Sequence, residues 1–254
     1  MSYKINYASF SCQGKVRKNH EDNLYVNGTC LEMVNNGTEC FLNGEVMSGM
    51  VPVFGVFDGM GGESAGEAAA YVAADTVMHF EKNRLRRTQD TEGNLAYLNH
   101  LFHEMNQNVC QYSEEHRIHS MGTTAACILF SDENVCCANV GDSRIYCMDE
   151  SGITQITTDQ VLGIKYYSNP PLLQYIGIKE EDMSFRPDLF ALPYHSGDYY
   201  LICSDGITDM ISDEEIAHVL RSESDPCRAL EAIIHAVWDA GARDNATAVL
   251  CSVN

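Results

Sequence analysis

The chain has 254 residues, of which 45% are hydrophobic and 20% charged, a composition typical of a folded globular protein. Its 36 acidic and 16 basic residues give a formal net charge of −20. A surface this negative repels nucleic-acid backbones and anionic membranes, so neither is an expected partner. A ligand that carries phosphate would have to be bound by a local group of positive charges.

The eleven cysteines do not resemble a disulfide framework. Their number is odd and no pair has Cys-x-x-Cys spacing, so we expect reduced thiols that pack as small hydrophobic side chains. Residues 1–10 carry no secretory signal pattern, and no apolar run approaches the roughly 20 residues that cross a bilayer. These features favour a cytoplasmic protein.

Hydrophobic periodicity predicts the secondary structure in chain order. Strands are expected at residues 3–7, 23–26 and 51–57, followed by helices at 64–80 and 95–110. Further strands are predicted at 123–130, 135–140, 144–148, 153–156 and 199–203, with an irregular stretch over 159–193. The Gly141-Asp142-Ser143 turn is interpreted as closing a hairpin between the strands at 135–140 and 144–148.

The last part of the chain carries helix-capping signals. Ser212 and Glu215 form a capping-box pattern, and Asp225-Pro226 is a typical start for a helix that Gly241 would end. A core strand follows at 246–253. Many short strands with two pairs of helices predict an α+β fold, and residues 1–254 are interpreted as one domain.

Acidic residues follow or open several apolar strands. Asp58 and Asp205 each precede a glycine, Asp244 precedes an asparagine, and Glu21 and Asp22 open a strand. Any one of them has a simple explanation as a turn residue. Together they indicate a site for Mg²⁺ or Mn²⁺, because these ions prefer a few carboxylate oxygens and retain bound waters.

Three other chemistries fit the sequence poorly. A dinucleotide-binding Gly-x-Gly-x-x-Gly that began at Gly59 would need glycine where Ser64 stands, and Asp58 would face the pyrophosphate. No Gly-Lys-Ser or Gly-Lys-Thr phosphate loop is present, and no histidine pair has the glutamate of a zinc protease.

Six motifs in order give the chain its family resemblance. They are Arg-Lys-Asn-His-Glu-Asp at 17–22, Val-Phe-Asp-Gly-Met-Gly-Gly at 56–62, Met-Gly-Thr-Thr-Ala at 121–125, Ala-Asn-Val-Gly-Asp-Ser-Arg at 138–144, Cys-Ser-Asp-Gly at 203–206 and Arg-Asp-Asn at 243–245. This set resembles the metal-dependent protein serine/threonine phosphatases of type 2C. The Asp-Gly-Met-Gly-Gly form is similar to that of the bacterial branch.

The resemblance implies a four-layer α-β-β-α sandwich, with two central antiparallel sheets flanked by helix pairs. It also implies roles for particular residues, two of which act on water and substrate: Asp22 would orient the reacting water and Arg17 would bind the substrate phosphate. The implied ligands of two Mn²⁺ or Mg²⁺ ions are Asp58 as the bridge, Glu21 and the Gly59 carbonyl on one ion, and Asp205 and Asp244 on the other. Asp209 would be a ligand of a third ion.

The implied activity is hydrolysis of phosphoserine and phosphothreonine in proteins by a metal-activated water, without a covalent intermediate. Two alternatives stay open: a metal-binding regulatory module with little turnover, and a hydrolase of small phosphoesters. Expected partners are phosphorylated proteins, among them a serine/threonine kinase and its substrates, and a monomer is expected.

The chain departs from the family pattern at several positions. Met60 stands where many eukaryotic relatives have a histidine, and His20 replaces the usual asparagine before Glu21. His119 stands where relatives often have an aspartate for the third ion. Gln160 and Val161 replace a usual His-Ser pair, in a flap-like region that extends to about residue 188.

Overall fold

The computed structural model describes residues 3–60, 65–83, 90–163 and 170–254. The strands are β1 (Lys4–Cys12), β2 (Asp22–Val26), β3 (Thr29–Cys30), β4 (Glu39–Met47), β5 (Val53–Met60), β6 (Gly122–Thr123), β7 (Ala125–Phe130), β8 (Asn134–Val140), β9 (Arg144–Asp149), β10 (Gly152–Gln155), β11 (Asp188–Pro193), β12 (Tyr199–Cys203) and β13 (Ala246–Val253). The helices are α1 (Gly66–Lys82), α2 (Thr91–His116), α3 (Asp205–Thr208), α4 (Asp213–Ser222) and α5 (Pro226–Asp239).

The strands form two antiparallel sheets. One has six strands in the order β10-β9-β12-β13-β1-β4, and the other has the order β11-β8-β7-β5-β2-β3 with β6 paired to β5. β13 lies in the middle of the first sheet, and all eight of its residues are buried. Two buried strands in the middle of the sheets, β13 and β5, therefore run from the core toward the site described below.

The inner faces of the two sheets pack against each other through large apolar side chains. Phe54 and Phe130 of one sheet and Tyr200 of the other are fully buried, and the Phe130 and Tyr200 ring centroids lie 5.5 Å apart. Burial of such side chains stabilises the fold by about 1.5–3 kcal/mol each. This layer is the apolar centre of the molecule.

Helices cover both outer faces. α1 and α2 pack on the sheet that contains β5, where a buried alanine face of α1 allows close approach. α4 and α5 pack on the other sheet. The capping box of Ser212 and Glu215 opens α4 and Asp225 caps α5, as predicted. The expected four-layer α-β-β-α arrangement is confirmed.

Several predicted elements need correction. The predicted hairpin at Gly141-Asp142-Ser143 is wrong, because β8 pairs with β7 and β11 while β9 pairs with β10 and β12 in the other sheet. The turn carries the chain between sheets instead. The stretch at 159–193 contains β11, and β4 was not predicted. α2 is longer than predicted, β5 begins two residues later, and the predicted start of α1 at Ser64 lies outside the described residues.

The remaining expectations concern cysteines and membranes. All eleven cysteines are free, as expected, and six of them are buried. Among the helices of the described residues, none combines the length and apolar character needed to cross a bilayer.

Candidate functional site

A cleft of about 420 Å³ opens at the ends of strands from both sheets. Asp58 comes from the end of β5, Asp205 follows β12 directly and Asp244 lies just before β13. Seven of the eight predicted site residues line this cleft: Arg17, Glu21, Asp58, Gly59, Asp205, Asp209 and Asp244. Carboxylates that are far apart in the chain therefore meet in one pocket.

The eighth predicted residue, Asp22, lies buried behind the cleft. Antiparallel pairing of β2 with β5 places it directly opposite Asp58. Its carboxylate accepts a hydrogen bond from Ser204 Oγ at 2.9 Å, and it is only 2% exposed. Burial raises the pKa of Asp22 to about 7, although hydrogen bonds from Thr247 and Ser204 oppose the rise.

The backbone around Asp58 is held by two threonines. Asp58 N donates to Thr124 Oγ1 at 3.1 Å, and Thr123 Oγ1 donates to the Asp58 carbonyl at 2.9 Å. Thr124 Oγ1 also lies 2.6 Å from Ser143 Oγ on the turn between the sheets. Thr123 and Thr124, interpreted from the sequence as core-strand residues, thus fix the strand end that carries Asp58.

Like charges crowd the cleft. Burial, followed by repulsion from Asp22 and Asp205, raises the pKa of Asp58 well above its ordinary range. Burial also raises the pKa of Asp205 to about 7, with further increases from Asp142 and Asp244. A concentration of carboxylates that resists ionisation in this way would be stabilised by bound cations.

Two glycines allow the carboxylates to approach. A side chain at Gly59 would collide with the carbonyl oxygens of Gly66 and Glu21, and one at Gly206 would collide with that of Asn245. Gly59 N also donates to the Glu21 carbonyl at 3.1 Å. Glycine is therefore required after each aspartate because the neighbouring backbone leaves no room for a side chain.

Arg17 extends over the cleft and pairs with Asp244. The Arg17 side chain is 49% exposed, and the hydrogen bond to Asp244 raises the pKa of its guanidinium. Because the pair is largely solvated, it contributes little to stability and can open at small cost.

Asn245 also lines the cleft, although the sequence motif at 243–245 gave it no role. Its side-chain oxygen accepts a hydrogen bond from Glu21 N at 2.8 Å, and its Nδ2 donates to the carbonyls of Gln13 and Asn19, both at 2.9 Å. It is 5% exposed. A single amide thus fixes the segment that carries Arg17 and Glu21 against the start of β13.

The turn between the sheets supplies a second missed group. Asp142 and Arg144 both line the cleft, and Arg144 forms a two-pronged hydrogen-bonded pair with Asp159 at 2.6 and 2.9 Å. Repulsion from Asp142 is the leading electrostatic contribution to the raised pKa of Asp205. The Gly-Asp-Ser-Arg motif could have indicated these residues, but its turn was interpreted as part of a hairpin and not as part of the site.

The departures from the family pattern occupy different places. Met60 lines the cleft, whereas His119 is exposed and is absent from the lining residues. His20 is buried, with Nε2 3.0 Å from Ser11 Oγ, and burial lowers its pKa to about 4. Ser11 Oγ in turn lies 2.7 Å from Thr247 Oγ1, so His20 joins a buried hydrogen-bonded group beneath the cleft.

The oxygen-rich cleft suits hard divalent cations. Mg²⁺ and Mn²⁺ are held by one or two carboxylates each, together with several waters. Within the described ranges, no three carboxylate, histidine or cysteine side chains form a ready-made metal cluster. Arg17 pairs with Asp244, so this carboxylate would exchange its partner when an ion binds. The donor set and its crowded charge fit such ions.

Comparison with known proteins identifies the family. Residues 46–250 match the family described as Protein phosphatase 2C. The chain belongs to the protein phosphatase 2C family. It is 27% identical over 255 residues to the serine/threonine phosphatase Stp of Listeria monocytogenes serotype 4b (strain F2365), a match that covers 94% of this chain and 92% of Stp.

Solved structures of this family share the fold. The serine/threonine phosphatase PstP/Ppp of Mycobacterium tuberculosis superposes with a TM-score of 0.79 at 25% identity, covering 98% of each chain. The catalytic domain of PstP in complex with two manganese ions gives a TM-score of 0.79 at 26% identity, covering 100% of this chain and 99% of that one. As a protein phosphatase 2C, this chain is a phosphoprotein phosphatase of the serine/threonine class.

Proposed function

We propose that this phosphatase removes phosphate from phosphoserine and phosphothreonine in proteins with the help of two Mn²⁺ or Mg²⁺ ions in the cleft. The observation that carries the proposal is the meeting of Asp58, Asp205 and Asp244 in one pocket. The two manganese ions of the PstP catalytic domain support the metal requirement. We further propose that residues 1–254 act as one catalytic domain.

The carboxylates divide into two sets of ligands. Asp58 would be shared by the two ions, Glu21 and the Gly59 carbonyl would hold one, and Asp205 and Asp244 would hold the other. When bound, the ions lower the pKa of water and neutralise charge on the phosphate. The four carboxylates carry four negative charges, which match the charge of two divalent cations.

Asp22 orients the attacking water. Its carboxylate is held by Ser204 and lies opposite Asp58, so its direction is fixed before substrate arrives. From behind the cleft, Asp22 orients the water through Asp58, which lies opposite it and lines the cleft. No cysteine or serine nucleophile is needed for this reaction.

Arg17 binds the substrate phosphate. Its guanidinium leaves Asp244 once that carboxylate is neutralised, and its planar fork then contacts two phosphate oxygens. The exposed position of Arg17 at the mouth of the cleft favours this exchange. Met60 lines the cleft but has no proton to donate, so solvent protonates the leaving alkoxide.

Phosphorylated proteins are the proposed partners, in a pathway with a serine/threonine kinase. The serine/threonine phosphatases among the relatives support this assignment. Eleven free cysteines favour a reducing compartment, so we propose that the protein acts in the cytoplasm. We also propose that it is a monomer.

Phosphate release from a phosphothreonine peptide with Mn²⁺ tests the proposal. We expect release by the wild type, loss with a chelator, and loss in Asp205→Ala. Asp149→Ala, at an exposed turn away from the cleft, is the matched control and should retain activity. No release by the wild type with Mn²⁺ would favour a regulatory module, and release from small phosphoesters alone would favour a small-molecule hydrolase.

A further inference from the structure

Positive charge is concentrated beside the cleft. Lys15, Arg17, Lys18 and Arg243 are exposed and belong to two adjoining loops, which we call the basic rim. The whole chain has only 16 basic residues against 36 acidic ones. Arg17 lines the cleft, and Arg243 directly precedes the cleft residue Asp244, so these four cations are a local exception to the charge of the molecule.

Backbone contacts hold the two loops of the basic rim together. Lys15 N donates to the Ala242 carbonyl at 2.7 Å, and Gly14 packs so tightly on residues 242–244 that a side chain there would collide with them. Lys15 Nζ donates to the Trp238 carbonyl at 2.5 Å and lies 4.9 Å from the Trp238 ring centroid. These contacts hold the two loops of the basic rim in a fixed relative position.

The wall of the cleft formed by residues 160–162 and 171–173 is largely apolar, unlike the basic rim. Val161 and Leu172 form an antiparallel bridge and line the cleft, and Leu162 and Leu173 beside them are exposed. Gln160 N donates a hydrogen bond to the Gly141 carbonyl, which joins this wall to the turn that carries the acidic Asp142. The two walls thus differ in the charge that they offer a bound peptide.

We propose that the basic rim binds acidic residues next to the phosphorylated serine or threonine, so that acidic phosphoprotein segments are the favoured substrate class. This rests on the proposed function. With two divalent ions neutralising the four ligand carboxylates, the exposed side chains of Lys18 and Arg243 can interact with substrate, and Arg243 also interacts with Asp209 of the cleft. The distant acidic surface contributes less, because charges beyond about 8 Å are screened at physiological salt.

Two phosphothreonine peptides of equal length, one with Asp and Glu flanks and one with Ser and Gly flanks, test the proposal. We expect the wild type with Mn²⁺ to have a kcat/KM about fivefold higher for the acidic peptide, mainly through KM. This preference should disappear in the double variant Lys18→Glu/Arg243→Glu and in about 1 M salt. Neither residue is a proposed ligand or phosphate-binding group.

Arg228→Glu is the matched control, because Arg228 is exposed at the opposite end of α5 from Trp238 and carries the same change of charge. It should keep the preference. As a readout independent of turnover, the dephosphorylated acidic peptide carrying a fluorescent label should bind the wild type more tightly than it binds the double variant.

The outcomes separate this inference from the proposed function. Equal kcat/KM for the two peptides, or a preference that survives in the double variant, overturns the role of the basic rim while leaving the phosphatase intact. Absence of release from both peptides and from p-nitrophenyl phosphate instead overturns the proposed function. A double variant that hydrolyses p-nitrophenyl phosphate normally but loses the acidic preference supports the inference.

Discussion

The two halves of strand β5 lie in opposite environments. Phe54 and Val56 are fully buried in the apolar layer between the sheets, whereas Asp58, two residues further on, faces a cleft crowded with like charge. The apolar half stabilises the fold through burial, and the acidic half weakens it when no cation is bound. One part of β5 therefore stabilises the fold, and the adjacent part contributes Asp58 to the site.

The largest expected effect comes from the acidic half. Asp58→Asn removes a charge shared by both proposed ions, so we expect kcat/KM with Mn²⁺ to fall at least about 10³-fold, which corresponds to about 4 kcal/mol. Steady-state kinetics on a phosphothreonine peptide would measure it. A loss below tenfold would mean that Asp58 is not the bridging ligand.

The apolar half should respond in stability. Phe54→Ala leaves a cavity between the sheets and should lower the free energy of unfolding by about 3–5 kcal/mol, measured with urea. Val16→Ala, at a side chain that is 65% exposed, should change it by less than about 0.5 kcal/mol. Similar decreases in the free energy of unfolding in both variants would show that the layer between the sheets does not contribute more to stability than the surface.

The pH dependence of the metal-free protein tests the cost of the acidic half. The pKa values of Asp22 and Asp205 rise from 3.8 to about 7 on folding, so the native state binds more protons than the unfolded state between these values. Stability contributed by the protonated carboxyls is thus present at low pH and is lost as pH rises toward and through 7. Urea unfolding with a chelator at several pH values would follow this decline.

Asp22→Asn isolates that effect from the rest of the chain. The variant removes one of the two titrating groups, so between about pH 5 and pH 8 it should lose about 2 kcal/mol less stability than the wild type. Equal pH dependence of the two proteins would contradict a raised pKa at Asp22.

The smallest effect is expected at the amide that joins the two loops of the site. Asn245→Ala removes the acceptor for Glu21 N and two donors to residues 13–19, so we expect about a tenfold loss of Mn²⁺ affinity and of activity. Calorimetric titration would measure the affinity. Asn99→Ala on α2 is the control, and an equal effect there would show that Asn245 has no special positioning role.

The sequence predicted most of the fold because its core strands and helices are strongly periodic. It missed β4 and β11 because none of their residues is fully buried, which leaves little contrast in polarity between alternate residues. It misassigned the turn at Gly141-Asp142-Ser143 because a local turn pattern does not tell whether the next strand remains in the same sheet.

The predicted site residues came from aspartates beside glycines at strand ends, and their motif order pointed to the family. Asn245 lies in the Arg-Asp-Asn motif, but its positioning role could not be predicted, since its partners are backbone atoms 224 to 232 residues away. Asp142 lay in a recognised motif but only the change of sheet brings it to the cleft. Such contacts between a side-chain amide and distant backbone groups depend on tertiary packing, which local sequence patterns do not reveal.

The central place of β13 in its sheet has a consequence for biosynthesis. β1 and β12 do not pair with each other, because β13 lies between them and pairs with both. β13 is also the last of these elements in the sequence. Asp244 and Asn245 arrive with it. On the ribosome, the cleft therefore cannot be completed until this strand has left the exit tunnel, and a nascent chain without it lacks one of the proposed metal ligands.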